Sequence, residues 1–126
     1  MKTSSPDIEK LPPRHVEVEL QFLPSEAGGR IGPVSTGYRP QFFYNGLDYE
    51  AAHTYPDVAF VNPGDSARAY LGFARPQEHV GKLKVGTVFL VREGQRTVAY
   101  GRVTAVPGLE NATSGAQKQT GGGGAA

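Results

Sequence analysis

The first clear pattern along the chain is an unbroken alternation of polar and apolar side chains over residues 15–22. Successive side chains of a β-strand point to opposite faces, so this alternation predicts a strand with one buried and one solvated face. Pro24 ends the pattern, because proline has no backbone N–H to donate to a sheet. The foldable part of the chain therefore opens with a half-buried β-strand.

Turn signals divide the rest of the chain into short extended stretches. Asn45-Gly46 is a strong hairpin dipeptide, and Gly94 lies in a short loop between two stretches rich in β-formers. Gly or Pro interrupts nearly every window in which a helix could form. The strands predicted in this way are residues 15–22, 41–44, 58–61, 68–73, 87–92 and 96–106.

Six short strands separated by turns predict an all-β fold, either a sandwich or a closed barrel. A small closed antiparallel β-barrel of about six strands is favoured, because closure removes the exposed strand edges that so small a sheet would otherwise present. Residues 14–106 are expected to form this barrel. Residues 1–13 are polar and proline-rich, and residues 107–126 are polar and end in four glycines and two alanines, so both are expected to be flexible arms.

Composition narrows the class of protein. The 126 residues contain no cysteine, which excludes disulfides, a thiol nucleophile and cysteine-ligated metal sites. The formal net charge is only +1, which argues against a general polyanion binder but leaves room for a local basic surface. No apolar run is long enough for a membrane span, so we expect a cytoplasmic protein that binds no membrane.

Few residues of the sequence fit a catalytic or metal-binding motif. The three histidines lack the spacing of a metal-binding pair on a helix, and no nucleophile-elbow motif is present. His53 has carboxylates near it in the sequence, but we interpret this segment as a polar surface loop. The Gly-rich residues 28–32 lack the Lys-Ser/Thr of a phosphate loop. We expect no enzymatic activity, no cofactor and no metal.

Arginine and aromatic side chains offer binding chemistry instead. Arginine supplies 8 of the 10 basic residues within residues 14–106, and arginine suits bidentate phosphate contacts. Turns gathered at one end of a barrel would form a basic rim, whereas the same arginines could equally be paired with acidic side chains in solvent. Phe42 and Tyr44 share one face of a strand, where core packing is favoured over a stacking platform for bases.

Four sequence blocks together make the chain resemble a known family. They are Gly28-Gly29-Arg30, Gly37-Tyr38-Arg39-Pro40-Gln41-Phe42, Pro63-Gly64-Asp65 and Arg92-Glu93-Gly94-Gln95-Arg96-Thr97-Val98. In their order and spacing, from about residue 16 to residue 106, they closely resemble the C-terminal domain of bacterial elongation factor Tu. The resemblance implies a six-stranded antiparallel β-barrel that contacts the T-stem of aminoacyl-tRNA and packs against a GTPase domain.

The resemblance also implies two sets of site residues. The positions that it places against RNA are Arg30, Gln41, Arg75, Glu93 and Gly94. The positions that it places in a partner interface are Gly37, Tyr38, Arg39, Gln41 and Phe42.

Departures from the family pattern keep two functions open. Ile31 stands where the family has a histidine, Gln95 replaces the second glycine of the hairpin turn, and a Thr-rich stretch is replaced by residues 45–50. The chain has no phosphate loop, so we expect it to bind no nucleotide on its own. The leading hypothesis is a binding module for tRNA or other structured RNA, or for a translation protein. The alternative is a protein-interaction domain, for example one docking on a GTPase, that has lost RNA binding.

Overall fold

Six antiparallel strands close on themselves in the computed structural model, which describes residues 11–109. The order around the barrel is β1-β4-β3-β2-β5-β6, and β6 returns to pair with β1. The strands are β1 Val16–Phe22, β2 Gln41–Tyr44, β3 Leu47–Thr54, β4 Ser66–Phe73, β5 Val88–Glu93 and β6 Arg96–Ala105; two 3₁₀ helices span Ser25–Ala27 and Pro76–His79. The predicted closed antiparallel barrel is confirmed.

Strand β1 closes the barrel because it pairs along its length with both β4 and β6. Val16 lies opposite Leu71 of β4, and Phe22 lies opposite Ala99 of β6. The four apolar residues of β1 that alternate with polar ones are all buried. The strand predicted from the alternation over residues 15–22 thus forms one side of the core.

Aromatic rings fill the centre of the barrel. The ring of Phe42 stacks on that of Phe89 at 4.3 Å between centroids and meets those of Tyr44 and Phe73 edge-on, each at 5.3 Å. Phe42 and Tyr44 are both buried, so the core-packing interpretation of this strand face is confirmed. Offset and edge-on ring pairs add to the free energy of burying these large side chains.

The antiparallel order sorts the connections into two rims. We call the site rim the end formed by loops 23–40 and 55–65 and the turn 94–95, and the opposite rim the end formed by turn 45–46, segment 74–87 and residues 11–15 and 106–109. A seven-residue strand such as β1 spans about 23 Å, so groups on the two rims are far apart.

Two predicted elements differ from the structure. Residues 47–54 form strand β3, which was not predicted, whereas residues 58–61 are not a strand and only Val61 makes an isolated bridge, to Val34. Residues 48–50 alternate as a strand does, but residues 51–54 are buried without alternation and include His53, so the pattern of the whole segment did not predict a strand. The apolar residues 58–61 contain two exposed side chains, Val58 and Phe60.

The chain on either side of the barrel packs against it. His15 donates its backbone N–H to Leu71, and Gly108 donates its own to the carbonyl of His15. Leu109 is buried in the core cluster at 3% exposure. The described packing therefore includes residues 107–109, and the boundaries expected at 13 and 106 remain predictions; residues 1–10 and 110–126 lie outside the described part of the chain.

Gly101 of β6 packs directly against strand β1 and the aromatic core. A Cβ there would lie 2.6 Å from both the carbonyl oxygen of Glu19 and the ring of Phe89. We predict that Gly101→Ala lowers the free energy of unfolding by about 1–3 kcal/mol through overpacking.

The matched control is Gly32→Ala, because a Cβ at Gly32 would meet nothing within 4 Å. Urea unfolding at neutral pH measures both variants. Equal midpoints for Gly101→Ala and Gly32→Ala would contradict the packing argument.

Candidate functional site

Three side chains from two segments of the site rim meet in one cluster. Arg30 lies in the loop after β1, Tyr38 in the same loop just before β2, and Glu93 at the end of β5. One carboxylate oxygen of Glu93, Oε2, accepts hydrogen bonds from Arg30 Nη1 and, at 2.5 Å, from the Tyr38 hydroxyl. We call these three residues the Arg30–Tyr38–Glu93 cluster.

The rest of the Arg30 guanidinium is also constrained. Its Nε donates to the carbonyl of Gly32 at 3.2 Å, and the group lies 5.2 Å from the centre of the Tyr38 ring. Nη2 makes no hydrogen bond within residues 11–109. The guanidinium is therefore oriented by its contacts with Gly32, Tyr38 and Glu93.

The cluster is partly shielded from water, with side-chain exposures of 26% for Arg30 and 27% for Glu93. Burial works against the charge of Glu93, but hydrogen bonds from Tyr38 and Arg30 hold its pKa below the usual value. Burial and the neighbouring carboxylate raise the pKa of Tyr38. At neutral pH the cluster is thus an ion pair with a neutral phenol.

The hairpin turn beside the cluster brings backbone to the surface. Gly94 has a positive φ of 62°, a conformation that glycine adopts without strain. Arg96, on the far side of the turn, lies 4.0 Å from the second carboxylate oxygen of Glu93 and is mostly exposed. The turn therefore presents open backbone next to a second guanidinium.

Gln41 stands beside the cluster, since its register partner on β5 is Arg92, the residue before Glu93. The side-chain oxygen of Gln41 is buried and has no hydrogen-bond partner in the described chain. Arg92 stacks over the ring of Phe43 at 4.4 Å and lies 3.7 Å from Asp48. On the other side of Gln41 is acidic Glu50.

The residues expected in a partner interface divide between surface and core. Arg39 is exposed and forms a loose pair with Glu50 at 3.5 Å. Gly37, at φ 105°, donates its N–H to the carbonyl of His53 and so ties the loop to β3. Phe42 is only 1% exposed and packs in the core, so its side chain is not on the surface.

Arg75 lies apart from the other positions expected to face RNA. It follows β4 on the opposite rim, where it is 73% exposed and pairs with Glu78 at 3.3 Å. The strand order separates it from Arg30 and Glu93 by the length of the barrel. The sequence alone could not reveal this separation, because it depends on which rim each connection joins.

Acidic partners surround most of the arginines. Seven of the eight arginines in residues 11–109 lie within 4.0 Å of a carboxylate oxygen; they are Arg30, Arg39, Arg68, Arg75, Arg92, Arg96 and Arg102. The eighth, Arg14, lies over the ring of Tyr70. Most arginines of the described domain are therefore paired with a carboxylate of the same chain.

The interpretation of His53 as part of a surface loop was wrong. His53 lies on β3, is 1% exposed, and its Nδ1 is 2.7 Å from the Tyr55 hydroxyl. Inward-facing positions of β3 continue the core, and a histidine there is tolerated because the tyrosine satisfies it. No group of three or more potential metal ligands occurs among the described residues.

Comparison with known proteins identifies the family. Residues 11–107 match the family described as the elongation factor Tu C-terminal domain. Over 96 residues the chain is 35% identical to elongation factor Tu 2 of Streptomyces avermitilis. The chain belongs to the elongation factor Tu C-terminal domain family.

The match covers 76% of this chain but only 24% of the Streptomyces protein. The chain thus spans about a quarter of that relative's length. As an elongation factor Tu C-terminal domain it is related to translation elongation. Within residues 11–109 no helix is long and apolar enough to cross a membrane.

Burial of His53 makes the barrel sensitive to acid. Burial lowers the pKa of His53 to about 3, whereas an unfolded chain would bind the proton near the ordinary value of 6.5. Below about pH 6.5 the unfolded state binds a proton at His53 that the folded state does not bind. The free energy of unfolding therefore decreases as the pH is lowered. We predict a loss of about 2 kcal/mol between about pH 8 and about pH 5.

Urea midpoints across this pH range, for the wild type and His53→Gln, measure the contribution. The variant should be less stable at neutral pH but should lose less stability in acid. Some acid sensitivity should persist, because burial also lowers the pKa of His15 and His79. Equal acid slopes for the two proteins would show that His53 does not titrate on unfolding.

Proposed function

We propose that the protein is a non-catalytic binding module of the translation apparatus that contacts structured RNA, such as tRNA, through its site rim. The observation that carries the proposal is the convergence of Arg30, Gln41, Glu93 and Gly94 on this rim. Their family positions point to RNA, and two of them, Arg30 and Glu93, are 63 residues apart in the sequence. Translation takes place in the cytoplasm, and the proposal places the protein there.

The chemistry of the rim suits a phosphate backbone rather than base edges. Arg30 is held in one orientation by Gly32 and Glu93, and guanidinium groups bind phosphate oxygens with directed hydrogen bonds. The open backbone at Gly94 allows close approach of a ribose or phosphate. Such contacts position an RNA helix without selecting its sequence.

The same geometry predicts weak binding with a shallow dependence on salt. Salt sensitivity grows with the number of phosphates that lysine and arginine neutralise. On the site rim Arg30 is already paired with Glu93 and Arg39 with Glu50. Arg96 is the most available cation, at 4.0 Å from Glu93 and with 56% of its side chain exposed. Few phosphates can therefore be neutralised at full strength.

Replacing Arg30 should weaken RNA binding, and replacing Arg75 should not. Arg30→Gln removes one phosphate contact, for which we predict roughly threefold to tenfold lower affinity and a salt slope shallower by about 0.7–0.9. Arg75→Gln is the matched control, because it removes the same charge on the opposite rim. Filter-binding titrations of aminoacyl-tRNA at several salt concentrations measure both.

Two outcomes would contradict the proposal. No aminoacyl-tRNA binding by the wild-type protein at low salt would overturn RNA binding altogether. Equal losses in Arg30→Gln and Arg75→Gln would show that RNA binding, where present, responds to overall charge and not to the site rim.

A specific observation favours a second function, docking on a GTPase of the translation apparatus. On the outer face of the sheet, Leu90 of β5 lies between its register partners Phe43 of β2 and Tyr100 of β6. Tyr100 is 50% exposed, and Val88, next to this row, is 69% exposed. Contiguous apolar side chains on a surface are typical of protein interfaces. We call these four residues the apolar sheet face.

The docking hypothesis predicts that a charge on the apolar sheet face abolishes capture of a GTPase. Val88→Glu is compared with Val58→Glu, which alters an exposed valine on the site rim. In pull-downs from cell lysate treated with nuclease, the wild type and Val58→Glu should retain the GTPase and Val88→Glu should lose it. Recovery that disappears with nuclease would support RNA binding instead.

A further inference from the structure

The two ends of the barrel differ in the charge of their connections. The segments of the opposite rim carry one acidic side chain, Glu78, and four basic ones, which are Arg14, Arg75, Lys82 and Lys84. The loops and turn of the site rim carry two basic side chains and three acidic ones, which are Arg30, Arg39, Glu26, Asp57 and Asp65. With histidine neutral, the formal charge is +3 for the opposite rim and −1 for the connections of the site rim.

Ion pairing within the chain increases this difference. Among the basic side chains of residues 11–109, only Arg14, Lys82 and Lys84 have no carboxylate oxygen within 4.0 Å. All three are exposed, and all three belong to the opposite rim. The unpaired positive charge of the described chain is therefore concentrated at one end of the barrel.

The two lysines project from a loop that is anchored in the core. We call residues 82–87 the lysine loop. Leu83, between Lys82 and Lys84, is only 2% exposed. The backbone N–H groups of Lys82 and Leu83 both donate to the carbonyl of buried His79 at 3.0 Å. The start of the loop is thus fixed, with its two charged side chains on the surface.

The end of the lysine loop is fixed as well. The N–H of Gly86 donates to the carbonyl of Val103 on β6 at 2.8 Å, and the hydroxyl of Thr87 accepts from the N–H of Lys84 at 3.0 Å. Between these two contacts Val85 is 66% exposed. The loop therefore presents an aliphatic side chain next to two unpaired ammonium groups, and little order remains to be imposed when a ligand binds.

An acidic protein segment fits this surface better than a nucleic acid does. Leu11 and Leu47 are exposed at the same end of the barrel as Val85, so the positive charge is accompanied by aliphatic surface. A phosphate backbone supplies charge but no aliphatic side chains to cover that surface. Single-stranded RNA is bound by stacking its bases on aromatic rings, and the segments of the opposite rim contain no Phe, Tyr or Trp.

We propose that the lysine loop is a docking surface for an acidic protein segment in which carboxylates alternate with aliphatic side chains. Lys82 and Lys84 pair with the carboxylates of the segment, and Val85 packs against its aliphatic side chains. This surface lies at the other end of the barrel from the site rim, and binding there does not depend on RNA. The barrel would thus hold two ligands at once, one at each end.

The test uses a fluorescein-labelled short peptide in which glutamate alternates with leucine. We expect Lys82→Gln/Lys84→Gln to lower the affinity for this peptide roughly threefold to tenfold and to make its salt dependence shallower. Val85→Ser should also lower the affinity, and this loss should persist at high salt because burial of aliphatic surface is not screened. Fluorescence anisotropy titrations of the whole chain at several salt concentrations measure all three proteins.

Arg75→Gln/Arg102→Gln is the matched control. It removes the same charge from two exposed arginines that are already paired, with Glu78 and Glu19 respectively. Equal losses in this control and in the double lysine variant would assign the effect to net charge and overturn the proposal. Equal affinity for a peptide with serine in place of leucine would overturn the part assigned to Val85. Urea midpoints verify that each variant is folded.

The remaining outcomes separate this proposal from RNA binding. A loss of aminoacyl-tRNA affinity in Lys82→Gln/Lys84→Gln as large as in Arg30→Gln would assign the lysine loop to RNA and overturn the proposal. No peptide binding by the wild type would also overturn it and would leave RNA binding at the site rim standing. Binding that then appears in Asp7→Asn/Glu9→Gln would identify the chain's own N-terminal residues as the occupant.

Discussion

The whole architecture depends on the double pairing of strand β1. It is hydrogen-bonded to β4 on one side and to β6 on the other, so the first strand of residues 11–109 joins both ends of the sheet. Without it, β4 and β6 would be exposed edges, and the inward aromatic rings would lose a wall. Closure also fixes the rims, because an antiparallel barrel places alternate connections at alternate ends. The rim on which each connection of residues 11–109 lies follows from this closure.

Surface electrostatics are governed by pairing within the chain. Arg68 illustrates the principle, since it reaches Asp57, Glu17 and the Tyr70 hydroxyl at once. It thereby ties loop 55–65 to the outer face of β1 and β4, at distances of 2.9 to 3.2 Å. Exposed pairs of this kind contribute little to stability individually, but they decide which cations remain available to a ligand. An arginine-rich sequence is thus compatible with a surface of low net potential.

The sequence predicted those strands and turns that depend only on residues close to one another in the chain. The alternation of β1, the hairpin of β5 and β6, and the turn at Asn45-Gly46, where φ is 55° and 80°, all follow from side-chain period or turn chemistry. Strand β3 was missed because its inward positions include a histidine that only the Tyr55 hydroxyl, two residues on, makes acceptable. The resemblance named the positions of the candidate site but not their partners. Arg30 and Glu93 are 63 residues apart, and only the closed topology brings them together.

The hydrogen bond from Gly108 to His15 has a consequence for how this domain is built into larger proteins. It shows that the chain enters and leaves the barrel at adjacent points. A domain with neighbouring ends can be inserted into a surface loop of another protein, or fused at either terminus, without distorting its host or itself. Both points lie on the opposite rim, so any attached domain would be tethered there. The site rim, at the other end of the barrel, then stays accessible to a ligand.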